Sequence, residues 1–346
     1  MRVARFYAPG DLRVEETPRP ALRAGELLMR VVACGTCGTD VKILRSGHQH
    51  LVPPRVLGHE VAGIVEELGE GTEGVVPGDR MQLIAAIPCG ECFECKHRSM
   101  SICPNQESIG YQYDGGFAQW LAVPAKVMRV GGLNRIPESL SFGEAAVTEP
   151  LACVLNGQEL AGLGSEDVVV VVGAGPIGCL HVRLARARGA ARVVLIEQNT
   201  QRLQLSASRV EPDAAIDVNR DDPIDAVLKL TDGRGADVVV TAAASGRAQE
   251  NALQMASRRG RISFFGGLPK DDPFIRLDSN LVHYKELTIV GANGSTPKQN
   301  AEALKLIATG AVPVADLITD RIPLENVHDA IESVQGGDSI KVVITP

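Results

Sequence analysis

No apolar run in this chain is long enough to span a bilayer, so a helical membrane protein is not expected. Long basic runs are missing too: 35 Lys and Arg stand against 42 Asp and Glu, a net charge of −7, which argues against a surface that tracks nucleic-acid phosphates. Met1 to Thr17 mixes Arg, Asp and Glu with apolar residues and has no continuous apolar core, so no signal peptide is visible and a cytoplasmic location is expected. There the 8 cysteines are expected as metal ligands or core thiols rather than disulfides. Internal repeats, low-complexity tracts and charged tails are absent as well. Aromatic residues are scarce at 3%, but the rest of the composition is that of an ordinary globular protein.

A length of 346 residues favours two domains, each with its own core. From Arg2 to about Val130, short β-type runs (Leu27 to Ala33, Val61 to Leu68, Arg80 to Ile87, Phe117 to Val123) are broken by Gly and Pro, as in a partly closed β-barrel or sandwich. Ser141 to Gly162 is helical in texture. Beyond it, apolar strands at Val168–Val172, Arg192–Glu197, Asp237–Thr241, Arg261–Phe265 and Leu287–Val290 alternate with helices such as Ile177–Arg188 and Thr200–Arg209. Such alternation predicts a parallel sheet covered on both faces, the doubly wound arrangement. Ala301–Ala308 reads as a further helix and Ile340–Ile344 as a β-type tail.

Gly173, Gly175, Pro176, Ile177 and Gly178 form a Gly-x-Gly-x-x-Gly turn directly after the valine strand, opening the next helix. In that setting Gly173 permits the tight turn, Gly175 lets backbone approach a pyrophosphate, and Gly178 lets helix pack on strand. The helix N-terminus supplies N–H groups and a positive dipole end for the phosphates. Glu197, at the end of the second strand, is placed to bind the adenosine ribose hydroxyls and repel a 2′-phosphate, favouring NAD over NADP; Arg202 could soften that preference.

Cys89, Cys92, Cys95 and Cys103 have the spacing C-x2-C-x2-C-x7-C, suited to a closed tetrahedral Zn²⁺ site, with an iron–sulfur cluster and disulfides as competing readings. A second, dispersed set consists of Cys37, His59, Glu60 and Glu149: a soft thiolate, an imidazole and carboxylates, suitable for a catalytic Zn²⁺ with an exchangeable position.

With Gly58-His59-Glu60, Gly63, Gly69, Gly78-Asp79-Arg80, Glu149-Pro150-Leu151, the four-cysteine lobe and the glycine turn together, the chain resembles the medium-chain, zinc-containing alcohol dehydrogenases, on the branch with sorbitol and threonine dehydrogenases. The resemblance covers essentially the whole chain. It implies an α/β protein: a GroES-like β-barrel catalytic domain at 1–152 and 291–346 with a zinc lobe at 88–104, and a Rossmann NAD-binding domain at 153–290. Two zinc ions per chain are implied, a catalytic one on Cys37, His59 and Glu60 and a structural one on the four cysteines, with Glu149 as a fourth ligand or a partner of the exchangeable water. Family members are commonly homo-dimers or homo-tetramers.

The implied reaction moves a hydride between a secondary alcohol and NAD. Thr39 would take the alcohol proton toward the nicotinamide ribose, and Asp40 would orient His59. Zn²⁺ with Cys37 and Glu60 ionised is already neutral, so a bound Glu149 would make the site negative; Glu149 is therefore expected to leave or hand over during turnover. Two departures stand out. Lys42, a poor proton acceptor at neutral pH, occupies a position where the family often has a His. Gly291-Ala292-Asn293-Gly294-Ser295 replaces the Arg-Tyr pair of animal sorbitol dehydrogenases. Cys34, Cys153 and Cys179 read as small core residues, and His48 and His50 as candidates to line the active site. The expected substrate is a small polyol or cyclitol-like alcohol; a threonine-type β-hydroxy amino acid is the alternative. A catalytically retired family member with a binding role is the reading from another class, disfavoured because every zinc ligand and turn glycine is present.

Overall fold

The computed structural model describes residues 1–97 and 99–346. The chain forms two compact units, Met1–Ala152 with Gly294–Pro346, and Cys153–Asn293. The returning segment of the first unit begins at Gly294 because Gly291 still pairs with Phe264 in the sheet of the second.

The first unit is built around Leu27–Gly35, a strand buried along most of its length. It pairs antiparallel with Glu60–Leu68, Trp120–Val123 and Lys341–Thr345. Arg80–Leu83 and Leu133–Arg135 extend the sheet on one side, and Ile318–Pro323, parallel to Lys341–Thr345, on the other. A three-stranded sheet of Asp11–Glu16, Arg2–Ala8 and Arg55–Val56 adds to this β-rich unit. Phe6, Met29, Val65, Leu83, Phe117 and Ile344 fill its core, each contributing about 1.5–3 kcal/mol by burial.

Two helices of nine or more residues in this unit have no counterpart in the sequence reading: Gly38–Ser46, directly after Cys37, and Val327–Gly336, which packs against it. Each is short enough to depend on that packing rather than on intrinsic propensity. The run Arg80 to Ile87 is also divided, into Arg80–Leu83 and Ala86–Ile87.

In the second unit six parallel strands lie in the order Ala214–Asp217, Arg192–Glu197, Val168–Val172, Ala236–Thr241, Ala256–Phe264, Thr288–Gly291. Numbered along the unit this is 3-2-1-4-5-6, the doubly wound order whose ligand crevice opens where the order reverses, at the end of Val168–Val172. Val169, Val170 and Val171 are completely buried, as a central strand covered on both faces requires. No helix among the described residues is long and apolar enough to cross a membrane.

His181, on the helix Pro176–Ala187, is 0% exposed. Its ring meets Phe265 edge-on at 4.8 Å, and its carbonyl accepts from the Gln158 amide at 2.9 Å. Burial, helped by the charge of Arg188, holds the imidazole down to about 3. An unfolded histidine binds its proton near 6.5, so between those values the unfolded chain takes up a proton that the folded one refuses, and stability falls as pH drops. His181→Leu should therefore flatten the acid branch of the stability curve below pH ~6.5 by up to about 1.4 kcal/mol per pH unit. Chemical unfolding at pH 7 and pH 5 measures this; equal losses in both proteins would refute it.

Candidate metal and dinucleotide sites

The glycine turn is built as its spacing suggests. Gly173 has φ +109°, a conformation open to glycine, and a Cβ on Gly178 would run into the Gly173 carbonyl. Nothing lies within 4 Å of a Cβ built on Gly175, which leaves its backbone open to a ligand. Pro176 and Ile177 begin the helix, with Gly175 as its cap.

Beside the turn lies a pocket of about 400 Å³ lined by Gly173, Glu197, Gln198, Asn219, Arg220 and Arg247 among others. Glu197 is 7% exposed and ties the strand ends together. Its Oε1 accepts from the Gln198 and Asn199 amides at 2.8 and 3.0 Å, and Oε2 accepts from Ala174 N at 2.8 Å. A carboxylate oxygen has two lone pairs. Oε1 is therefore filled, while Oε2 keeps one acceptor position for a ribose hydroxyl. Arg202 Nη1 stands 4.0 Å from Oε2, and Asn219, Arg220 and Arg247 are pocket residues that the sequence reading passed over.

In the cysteine lobe, the sulfurs of Cys89, Cys92, Cys95 and Cys103 all lie within 4.8 Å of one another. Three Sγ···Sγ separations are 3.6, 3.7 and 3.9 Å, and a tetrahedron with Zn–S bonds of about 2.3 Å has edges of about 3.8 Å. None of these cysteines is in a disulfide. Amides of Glu91 and Cys92 aimed at Cys89 Sγ hold that thiol down to about 6, favouring the thiolate a metal needs. The donor set fits a closed zinc site.

The second set converges from two places. Cys37 ends the segment after Leu27–Gly35 and caps the helix Gly38–Ser46; His59 and Glu60 enter the neighbouring strand. Their ligand atoms lie within 4.8 Å of one another, one soft sulfur, one imidazole and one carboxylate, which fits a catalytic Zn²⁺. Asp40 holds the geometry: one oxygen accepts from Cys37 N at 2.9 Å, and the other is 3.5 Å from His59 Nδ1. Burial opposes the imidazolium, but Asp40 and Cys37 outweigh it and raise His59 well above its ordinary value. Glu149, in the first turn of Thr148–Leu160, is outside the three-residue group, yet its charge acts on Glu60. Thr39 is half-buried in the first turn of Gly38–Ser46, whereas Lys42 is exposed.

Lys341, absent from the sequence-based candidates, also belongs here. It is 2% exposed, and its Nζ meets both oxygens of Glu60, with Oε1 at 2.5 Å. Burial lifts the Glu60 carboxyl to about 7 against the pull of Lys341 and His59. Burial also disfavours the ammonium, but Glu60 and Cys37 more than offset this, so Lys341 stays cationic. The charge count that made a bound Glu149 unfavourable thus lacked one positive charge.

Tyr111 lies within electrostatic reach of His59, Asp40, Cys37 and Glu149, and burial pushes its phenol above the ordinary range. His48 packs edge-on against it at 4.8 Å, with His50 5.5 Å from His48. Cys34 and Cys179 are buried and Cys153 half-buried, none of them in a disulfide.

Residues 23–131 match the model of the alcohol dehydrogenase GroES-like domain, and residues 176–309 that of the zinc-binding dehydrogenase. The chain is similar to the sorbitol dehydrogenase of Halalkalibacterium halodurans, 30% identical over 98% of this chain and 97% of that protein. It is 34% identical to the L-threonine 3-dehydrogenase of Bacillus subtilis, over 96% and 94% of the two chains. A solved zinc-binding dehydrogenase structure from Sinorhizobium meliloti 1021, bound to NADP, superposes with a TM-score of 0.92 at 31% identity and covers 100% of this chain and 99% of that one.

Proposed function

Because the chain belongs to the zinc-containing alcohol dehydrogenase family, we propose that it oxidises a polyol or cyclitol-like secondary alcohol with NAD. The observation that carries this reading is the convergence of Cys37, His59 and Glu60 within 4.8 Å. These three residues would hold one zinc ion and the four lobe cysteines a second. When bound, the first ion supplies Lewis acidity at the substrate oxygen. NAD, held by the Gly173–Gly178 turn and by the free acceptor position of Glu197, supplies the hydride acceptor.

Asp40 keeps His59 in its ligating orientation. Thr39 would relay the alcohol proton, its oxygen accepting it as the hydroxyl releases its own proton onward to solvent. Tyr111 and His48 offer a polar wall suited to a hydroxylated substrate. Glu149, whose charge reaches Glu60, would be the carboxylate that gives way to the incoming hydroxyl. Glu149→Gln should lower kcat by about tenfold or more with metal content kept at two ions per chain; unchanged rate and unchanged zinc content would refute this assignment.

A second reading, oxidation of an L-threonine-type β-hydroxy amino acid, draws on the Bacillus subtilis relative. Reduced-nicotinamide absorbance on separate pools of polyols, cyclitols and β-hydroxy amino acids, with NAD and NADP in parallel, decides between them. Signal from a polyol or cyclitol pool supports the first, signal from the amino acid pool replaces it with the second, and silence everywhere at full zinc occupancy removes both.

We also assign a homo-dimer or homo-tetramer. Thr288–Gly291 is an edge strand with an open hydrogen-bonding side among the described residues, and Phe274 and Tyr284 of the same unit are 86% and 71% exposed. A cytoplasmic location is supported by cysteines placed as ligands rather than crosslinks.

A further inference from the structure

The metal centre contains a cation whose task the family chemistry above does not define. Lys341 opens the strand Lys341–Thr345, ahead of the buried Val342, Val343 and Ile344, and donates from Nζ to the Thr36 carbonyl at 2.7 Å and to Glu60. Burying an ammonium is costly unless it is specifically paired, and this one is paired with a prospective metal ligand. Gly35 makes the approach feasible, since a Cβ there would collide with the Glu60 carboxylate and with Lys341 Cε.

A carboxylate offers about four acceptor positions; Lys341 hydrogen-bonds to Oε1, while Oε2, within ion-pair reach of the same ammonium, has no hydrogen-bond partner among the described residues and is left for a metal. Glu60 can therefore give a metal only what Lys341 leaves. Charge points the same way. An ammonium hydrogen-bonded to a prospective metal ligand also places a like charge beside a bound cation.

We propose that Lys341 is a positioning residue of the metal centre: it shares the Glu60 carboxylate with the metal and so keeps Glu60 a weak, exchangeable ligand. This rests on the assignment of Cys37, His59 and Glu60 as that centre. Removing the ammonium frees Glu60 to bind fully and removes a repelling charge, so the metal should be held more tightly.

The test uses the full chain, with Zn²⁺ counted per chain, its affinity measured by competition with a chromophoric chelator, and the visible spectrum recorded after Co²⁺ is exchanged into the Cys37 centre. Lys341→Met should bind the ion at least about tenfold more tightly, because a like charge near the cation is removed, and shift the Co²⁺ spectrum. Lys341→Arg, which keeps the charge, should return both toward the original values. Unchanged affinity and spectrum in Lys341→Met, or weaker binding, would overturn the proposal. A single ion per chain in the unsubstituted protein would instead overturn the metal-centre assignment itself. If Lys341→Met does not fold, Lys341→Gln, which keeps a hydrogen-bond donor without the charge, is read the same way: tighter binding with a shifted spectrum supports the proposal, and unchanged or weaker binding overturns it.

Discussion

Cys37→Ser should remove one of two zinc ions and lower kcat/KM by about 10³-fold or more, since Lewis-acid stabilisation is worth several kcal/mol and each 1.36 kcal/mol is a factor of ten. A hydroxyl is a far poorer ligand than a thiolate, and the three-residue set has no spare donor of the same softness. The rest of the unit should hold. Cys37 is half-buried at a helix cap, and its backbone amide can still donate to Asp40 after the substitution. The melting temperature should therefore move by only a few degrees. Metal analysis with steady-state rates checks this; full activity with one ion per chain would show that the reaction does not use this centre.

The opposite pattern is expected for Cys95→Ser. Cys95 is 4% exposed, and its sulfur lies 3.9 Å from that of Cys89. Binding of a structural ion is itself folding free energy, and the neighbourhood has little else: among the described residues its helix Phe93–Lys96 is a single turn, and Phe93 and Ile102 are largely exposed. Losing the closed site should cost several kcal/mol, about 10 °C or more in melting temperature, with local unfolding near residues 88–104. Residual activity at low temperature should stay far above that of Cys37→Ser. Equal melting temperatures with and without the fourth thiolate would remove the structural role. The two cysteine variants thus separate a chemical metal from a mechanical one.

The parallel sheet was readable because its strands are apolar throughout and its turn glycines are fixed by backbone contact rather than by side-chain choice. Val168–Val172 and the Gly173–Gly178 turn leave few alternatives to a buried strand entering a helix. The helices Gly38–Ser46 and Val327–Gly336 were not readable, since each is held by the other across nearly the full length of the sequence. Spacing exposed the four lobe cysteines, which are close in sequence. For the dispersed set, family resemblance had to supply what spacing could not.

Lys341 escaped for a different reason. The run Ile340 to Ile344 reads as a β-type tail on its pattern alone, and that pattern gives its lysine no distinct role. A charged side chain in a strand with both flanks buried was nevertheless a usable signal, because such residues are seldom fully buried unless paired. What no pattern could reveal was its partner, Glu60.

That pairing also sets a timetable for assembly on the ribosome. Glu60 and Lys341 are 281 residues apart, and at 5–20 residues per second about 15 to 55 s of synthesis separates them. During that interval Leu27–Gly35 lacks the neighbour that pairs Val343 with Gly35, and the Glu60 carboxylate has no counter-charge. The last strand therefore does more than close the sheet: its arrival brings the counter-charge of a carboxylate made near the other end of the chain.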